Sequence, residues 1–312
     1  MATVEAPGVD SWPRSLAIQI VLYDNDAGRQ LRTAAGVAAA IREMRTTSSL
    51  SQVVVRYGDC SRWPCLSSDE QAAIAAELDD VVDDISFSFF DANLGSAGGS
   101  NALAALGTED VVWILNPDTY PSPTSGRSLL AALAIPGIGA TEGRQIPVEH
   151  PKHYDQMTGQ TSWASGCCLM LRRDAFDSVG GFDAHFFPLY CDDVDLSWRL
   201  RAAGWGIRHV PSAVIVHDKP IGTHGEVRWS DAEARSSHLA RLWLYRRYRR
   251  PDLEASFLAS VDPERDPIAA AAAAEFTERI AAGDCPDPVA QGVEVADFVD
   301  GRYGPMRFLY AG

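Results

Sequence analysis

The sequence predicts an α/β protein: a mostly parallel sheet flanked by helices over residues 1–222, with a C-terminal helical extension over residues 223–312. Three observations carry this expectation. Over the first two-thirds, short β-rich runs alternate with helical stretches, the pattern of strands joined by crossover helices. Several of those runs end in polar turns, which is where ligands bind in open α/β sheets. After Gly222 the alternation stops, and Arg- and Ala-rich helical stretches take over.

Leu16 to Leu22 (LAIQIVL) reads as a buried strand ending at Tyr23-Asp24-Asn25-Asp26. An Ala- and Arg-rich helix follows over Arg29 to Arg45. Gln52 to Tyr57 (QVVVRY) is the second strand, and its loop carries Gly58, Asp59 and Pro64. The third, Ile85 to Phe90, leads into the glycine stretch Asn93 to Asn101 (NLGSAGGSN) and a short helix. The fourth, Val111 to Leu115 (VVWIL), ends in Asn116-Pro117-Asp118. Gly137 to Thr161 is rich in turn formers and shows only a weak pattern. Gly166 to Arg172 resumes as a strand, followed by a helix that stops at Gly180-Gly181. Asp192 to Ala203 is a helix with Leu196 and Leu200 on one side, ended by Gly204. Ile207 to Val210 and Ala213 to His217 read as two strands around Pro211. Asp231 to Arg250 is a helix stopped by Pro251, and Pro267 to Ala282 is another, ended by Gly283.

Composition narrows the function. With 46% hydrophobic and 22% charged residues, the chain suits an ordinary globular protein with a large core. A formal net charge of -15 argues against a nucleic-acid coat, which needs a basic face. An acidic protein can still bind a nucleotide where a metal ion or helix N-termini meet its phosphates. No apolar run reaches the roughly 18 residues a membrane span needs. Glu5 and Asp10 with no hydrophobic segment make the N-terminus unlike a secretory signal, so a cytoplasmic setting is expected. The six cysteines include no Cys-x-x-Cys pair and are expected to be reduced, mostly buried thiols.

The densest motifs lie between Ser165 and Asp218. In order come a small-residue turn, a strand, Arg173 with Phe176, Gly180-Gly181-Phe182-Asp183, the pair Asp192-Asp193, and a Pro211-led strand ending in His217. Upstream stand NLGSAGGSN and Asn116-Pro117-Asp118. Together these resemble the family 2 glycosyltransferases, whose nucleotide-binding domain is a GT-A-type, Rossmann-like sheet. The resemblance runs from about Leu16 to Asp218, and the Asn-Pro-Asp variant is most similar to the rhamnosyl- and galactofuranosyl-transferase branch.

The resemblance implies an inverting transfer of a sugar, with a rhamnose-like deoxyhexose as the best match, from a nucleoside diphosphate to a hydroxyl acceptor. Asp118 and His217 would hold Mn2+ or Mg2+, an ion that takes oxygen ligands and draws much of its coordination from phosphate. Asn116 lacks a carboxylate's charge and falls to hydrogen-bonding the donor. On the residues alone, Asn-Pro-Asp also suits a turn after a strand. Asp193 is the implied general base. Adjacent helical residues point about 100° apart, so Asp192 cannot share that job and is assigned to the acceptor. Acids at a helix start also favour its dipole, which leaves a purely structural role open for one of the two.

Asn93 and Gly98 would line the donor site, and Tyr23, Asp24 and Asp59 would meet the nucleotide base. Here Arg56-Tyr57-Gly58-Asp59-Cys60-Ser61 departs from the family's Asp-Asn-x-Ser/Asp pattern, so the base is left undetermined. Trp163 is a candidate acceptor platform or a core residue, and His224 a candidate phosphate contact. Asp195, four residues before Arg199, reads as a surface or intrahelical ion pair. The run Leu239 to Arg250 either packs on the domain or lies on an anionic membrane surface near a lipid-linked acceptor, packing being preferred. A glycan or small-molecule acceptor fits the residues equally, and the C-terminal region, with its apolar Phe308-Leu309-Tyr310, would shape the acceptor side or a dimer contact. Two rivals remain: a non-catalytic sugar-nucleotide-binding module, and a nucleotidyltransferase, which the acidic turn after the first strand disfavours.

Overall fold

A computed structural model describes residues 12–219, 230–290 and 295–307. Strand β1 (Ser15–Leu22) pairs in parallel with β2 (Gln52–Asp59), which pairs in parallel with β3 (Asp84–Phe89). On its other side β1 meets β4 (Val111–Leu115), again in parallel. The sheet continues through β7 (Cys168–Arg172), β6 (Ile138–Ile146) and β8 (Gly206–His217) to the short β5 (Thr119–Pro121). The order β3-β2-β1-β4-β7-β6-β8-β5 contains four parallel pairs and three antiparallel ones, all of the latter at β7 or β5.

Helices α1 (Ala27–Thr47), α2 (Ser68–Leu78) and α4 (Ser125–Leu133) bury apolar faces with Leu16, Ile18, Val55 and Trp113 on one side of the sheet. Helices α3 (Gly95–Ala104), α5 (Arg173–Ser178) and α6 (Asp192–Ala202) cover the other with Val112, Leu169 and Leu171. Buried on both faces, β1 and β4 are apolar almost without interruption. Capping fixes where helices begin: Asp26 Oδ1 accepts from the Arg29 amide at 3.1 Å, and Ser67 with Glu70 forms a reciprocal capping box.

Helices α7 (Asp231–Arg247), α8 (Pro251–Ser260) and α9 (Pro267–Ala281) follow. Trp243 of α7 and Phe276 of α9 share a buried cluster with Val194 and Trp198 of α6, so the C-terminal helices brace the helix that carries the acidic pair. Arg247 is buried in this contact, and Arg246 and Arg250 are ion-paired with Glu254 and Asp252, which supports packing for the segment Leu239 to Arg250. No helix among the described residues is long and apolar enough to cross a membrane.

Four local expectations are corrected. The turn-rich stretch from Gly137 contains β6, whose IGATEGRQI buries Thr141, Glu142 and Gln145, so polar side chains masked its period. The segments around Pro211 form one strand, and a register shift between Gly143↔Val210 and Arg144↔Val214 absorbs the proline that lacks an N–H. The glycine stretch is itself helix α3: a Cβ on Gly99 would lie 2.7 Å from Val21 Cγ1, so glycine lets α3 close on β1. The helix from Asp231 ends at Arg247, and Pro251, instead of only stopping it, opens α8 at a position that needs no N–H donor. Helices α2 and α4 were also not foreseen. Gly222, His224 and Phe308 to Tyr310 lie outside the described residues.

Candidate active site

The strand ends bring the predicted metal pair together. Thr119 of β5 pairs with His217 of β8, and the Asp218 amide donates to the Asp118 carbonyl at 2.8 Å. That register sets His217 Nε2 3.3 Å from Asp118 Oδ1. Gln145, at the far end of β6, places its Oε1 2.9 Å from His217 Nδ1. With the Nδ1 proton given to that amide oxygen, a neutral imidazole turns the Nε2 lone pair toward a carboxylate. Such a contact repels unless a proton or a cation lies between the two atoms. Nε2 is buried and makes no hydrogen bond of good geometry, so this donor pair fits a divalent cation. Burial pushes the Asp118 pKa up, but the adjacent His217 ring, with Lys219, outweighs it and holds the carboxyl below its ordinary value. Among the described residues no group of three or more His, Cys, Asp or Glu is set to hold a metal, so most of a cation's ligands would come from elsewhere.

The Asn116 loop is anchored from several sides. Gln30 Nε2 of α1 donates to the Pro117 carbonyl at 2.9 Å, and the Thr119 hydroxyl donates to the Asn116 carbonyl at 2.7 Å. The Asn116 amide donates to the Cys167 carbonyl at 2.9 Å, and the next residue back, Gly166, donates its amide to Asp193 Oδ2 at 2.8 Å. A short hydrogen-bonded path therefore links the Asn116 loop to the acidic pair.

Asp192 and Asp193 open α6, whose N-cap is Cys191 in a left-handed conformation (φ 54°) with no side-chain cap. Asp193 Oδ1 also accepts from the Val194 amide at 2.8 Å. Burial raises the Asp193 pKa, and the Gly166 amide and the Lys152 charge only partly offset it. Asp192 is pushed well above its ordinary value by burial and by the charge of Asp193. An acid held above its usual range is a better base when ionised.

The predicted base-reading residues gather at the adjoining ends of β1 and β2, where Leu22 faces Asp59 in register. Tyr23 is 53% exposed, and Asp24 (φ 53°) donates its amide to Ser61 Oγ at 2.8 Å. Both carboxylate oxygens of Asp59 accept from their own loop, from Ser61 at 2.9 Å and Cys65 at 2.8 Å. Burial raises the Asp59 pKa and these hydrogen bonds lower it further, so its first task is to shape the loop. Asn93 Oδ1 accepts from the Gly95 amide at 3.1 Å, and Gly98 faces Ala184 and Leu94 from within α3. Asn101, at the end of the glycine motif, exchanges two hydrogen bonds with the Phe182 backbone, at 2.8 and 2.9 Å, tying α3 to the Gly-Gly-Phe-Asp turn.

Two open readings narrow here. Trp163 is only 6% exposed and carries Lys152 Nζ 3.6 Å from its ring centre, which fits the core reading and leaves little of the ring for a sugar. Asp195 makes the expected intrahelical pair with Arg199 at 2.7 Å, but it is completely buried, not at the surface, and also binds Arg247 at 2.8 Å. Arg247 also binds Asp183 of the Gly-Gly-Phe-Asp turn. Sequence reasoning missed Gln145, Glu142, Lys152 and Arg247 as supports of the site. Only Arg247 left a signal, in the basic run.

Comparison with known proteins agrees with this geometry. Residues 149–249 match the glycosyl transferase family group 2. An N-acetylglucosaminyl-diphospho-decaprenol L-rhamnosyltransferase of Mycobacterium tuberculosis is 52% identical over 61 residues, 20% of each chain, so the match spans about a fifth of that relative's length. A pre-mycofactocin glycosyltransferase of the same species is 29% identical over 172 residues, covering 48% of this chain and 36% of the relative. The solved structure of a mannosyltransferase from Pyrobaculum calidifontis in complex with GDP-Man and Mn2+ superposes with a TM-score of 0.54 at 17% identity, covering 89% of this chain and 81% of that one. Residues 149–249 are thus similar to the family 2 glycosyltransferases, rhamnosyltransferases among the relatives, and the fold is of the GT-A type.

Proposed function

We propose that the chain is an inverting, metal-dependent glycosyltransferase that moves a sugar, a rhamnose-like deoxyhexose, from a nucleoside diphosphate to an acceptor hydroxyl. The observation that carries it is the His217–Asp118 pair at the strand ends, joined through Asn116, Cys167 and Gly166 to Asp193 at the start of α6. Asp118 and His217 would hold the cation, which neutralises charge on the departing diphosphate. Tyr23, Asp24 and the Asp59 loop would seat the base, and Asn116 would hydrogen-bond the donor.

Asp193 keeps both oxygens fixed by backbone amides, yet a carboxylate has about four acceptor positions, which leaves room for a hydroxyl. It takes the acceptor proton as the acceptor oxygen bonds to the anomeric carbon. The bond from that carbon to the diphosphate oxygen breaks in the same in-line step, and its electron pair leaves with the nucleotide. Asp192 contributes to acceptor binding. The mycobacterial relative is an N-acetylglucosaminyl-diphospho-decaprenol L-rhamnosyltransferase, so a lipid-linked N-acetylglucosaminyl acceptor is the first to try.

The test uses dTDP-L-rhamnose, Mn2+ and octyl N-acetylglucosaminide, with dTDP release and product anomer as readouts. Mn2+ with dTDP or UDP should raise the melting temperature, because a ligand that binds only the native state stabilises it. Asp118→Ala and His217→Ala should each abolish that Mn2+-dependent rise while melting cooperatively. No rise with any pyrimidine nucleoside diphosphate, or a product that keeps the donor's anomeric configuration, overturns the proposal.

A further inference from the structure

Beneath the acidic pair lies a buried cluster the mechanism has not used. Glu142 of β6, 2% exposed, accepts from Lys152 Nζ at 2.8 Å and lies 3.0 Å from His209 Nδ1. Burial alone would raise its pKa, but the charges and hydrogen bonds of Lys152 and His209 bring it down to about 2. One oxygen has a further partner: Glu142 Oε2 accepts from the Ser165 amide at 2.6 Å. The following amide, Gly166, donates to Asp193 Oδ2 at 2.8 Å. Two successive peptide N–H groups are thus held by two carboxylates, one deep in the sheet and one at the site.

We propose that Glu142 is a positioning residue for Asp193: by fixing the Ser165 amide it sets the Ser165–Gly166 segment so that the Gly166 amide holds Asp193 Oδ2 in place. This rests on the assignment of Asp193 as the base. On one side of the segment the Ala164 amide is bound to Ser197 Oγ of α6 itself, at 3.0 Å, and on the other the Cys167 carbonyl accepts from the Asn116 amide at 2.9 Å. Between these two points the Ser165 amide is held by Glu142, and without that anchor the Ser165–Gly166 peptide would be freer to follow α6 instead of orienting it. Displacement of a reacting group by about 1 Å can cost about 10²-fold in rate, so the effect belongs in kcat.

Removing Glu142 alone orphans a buried lysine, so the variants also carry Lys152→Met, which keeps the stem over Trp163 and removes the charge. Glu142→Gln/Lys152→Met retains an oxygen for the Ser165 amide; Glu142→Ala/Lys152→Met does not. With the donor, Mn2+ and acceptor named above, the Ala pair should lose about 10²-fold in kcat with the donor KM nearly unchanged. The Gln pair should recover most of that loss, and the Mn2+–dTDP melting shift should persist in both. Equal activity of the two pairs, or a loss confined to KM, overturns the inference. Asp193→Asn is assayed beside them: wild-type transfer by that variant overturns the base assignment, whereas an inactive Asp193→Asn with indistinguishable pairs overturns the role of Glu142 alone.

Discussion

The two halves of the sheet solve burial differently. From β3 to β4 the interior is apolar, with Leu16, Ile18, Val53, Val55 and Trp113 packed under α1, α2 and α4. There a buried ion pair joins Arg56 to Glu109, and the acid at the site edge, Asp59, sits below its ordinary pKa because backbone amides meet it. From β7 to β8 and under α6, charge goes inside: Glu142 with Lys152 and His209, and Asp195 with Arg199 and Arg247. The acids at that edge, Asp192 and Asp193, sit above their ordinary values because burial dominates. Apolar packing tolerates variation in volume and shape, whereas a buried ion network tolerates only the geometry that satisfies it. The half built on charge is the half that carries the proposed base, Asp193.

The contrast breaks first at Arg247, where the largest effect is expected. Its guanidinium binds Asp195 at 2.8 Å and also binds Asp183, with a side chain only 7% exposed. Arg247→Met keeps much of the bulk but leaves both carboxylates short of a partner. Breaking a buried pair by removing one member costs about 3–5 kcal/mol. Arg199 still meets Asp195, so the lower end is expected, about 3 kcal/mol, read from the urea midpoint. A loss below about 1 kcal/mol would make these ions no different from surface ones.

Next comes Asp193→Asn, where rate and stability should move in opposite directions. Transfer should fall by about 10²-fold or more, the value of a positioned general base. The sign for stability follows from the raised pKa. A carboxyl whose folded pKa lies above its unfolded value, ordinarily 3.8, costs stability when ionised at neutral pH. That cost is relieved as pH falls through the folded value and is gone below the unfolded one. The variant should therefore melt above the wild type at pH 7, and the gap should close on acidification. A variant that melts lower at pH 7 would show that the Gly166 and Val194 hydrogen bonds outweigh the burial of charge. Asp192→Asn should show the same sign of stability change and a smaller loss of transfer, mainly through acceptor affinity.

The same contrast explains what the sequence made legible. LAIQIVL, QVVVRY and VVWIL announce strands because apolar side chains face both sides of the sheet. Their polar ends pointed to Asp118, and the acids at the start of α6 to Asp192 and Asp193. IGATEGRQI hid β6, since a buried Glu142 or Gln145 looks like surface until Lys152 and His217 are brought to it by the fold. Asp195 misled in the same way: spacing gave its partner Arg199, but Arg247 lies 52 residues away in sequence. Trp163 stands beside a site motif, so the sequence leaves it open between acceptor platform and core, and the structure buries it. Local chemistry marks the residues that meet substrate; the long-range partners that hold them leave no local mark.

The smallest expected effect lies on the apolar half, at Arg42 and Asp80. This pair joins α1 to the end of α2 at 2.9 Å with the side chains 54% and 64% exposed. Water solvates both ions before and after folding, so little is gained, and ordering two side chains offsets part of it. A double-mutant cycle of Arg42→Ala and Asp80→Ala should give a coupling of about 0.2–1 kcal/mol. At 1 M salt the screening length falls to about 3 Å, and the coupling should shrink toward zero. The cycle on Arg247 and Asp195 should keep most of its coupling in the same salt, because solvent ions do not reach a pair that packing has closed off. Equal salt sensitivity in the two cycles would mean that the α6 network is open to water, and the contrast between the two halves of the sheet would fall.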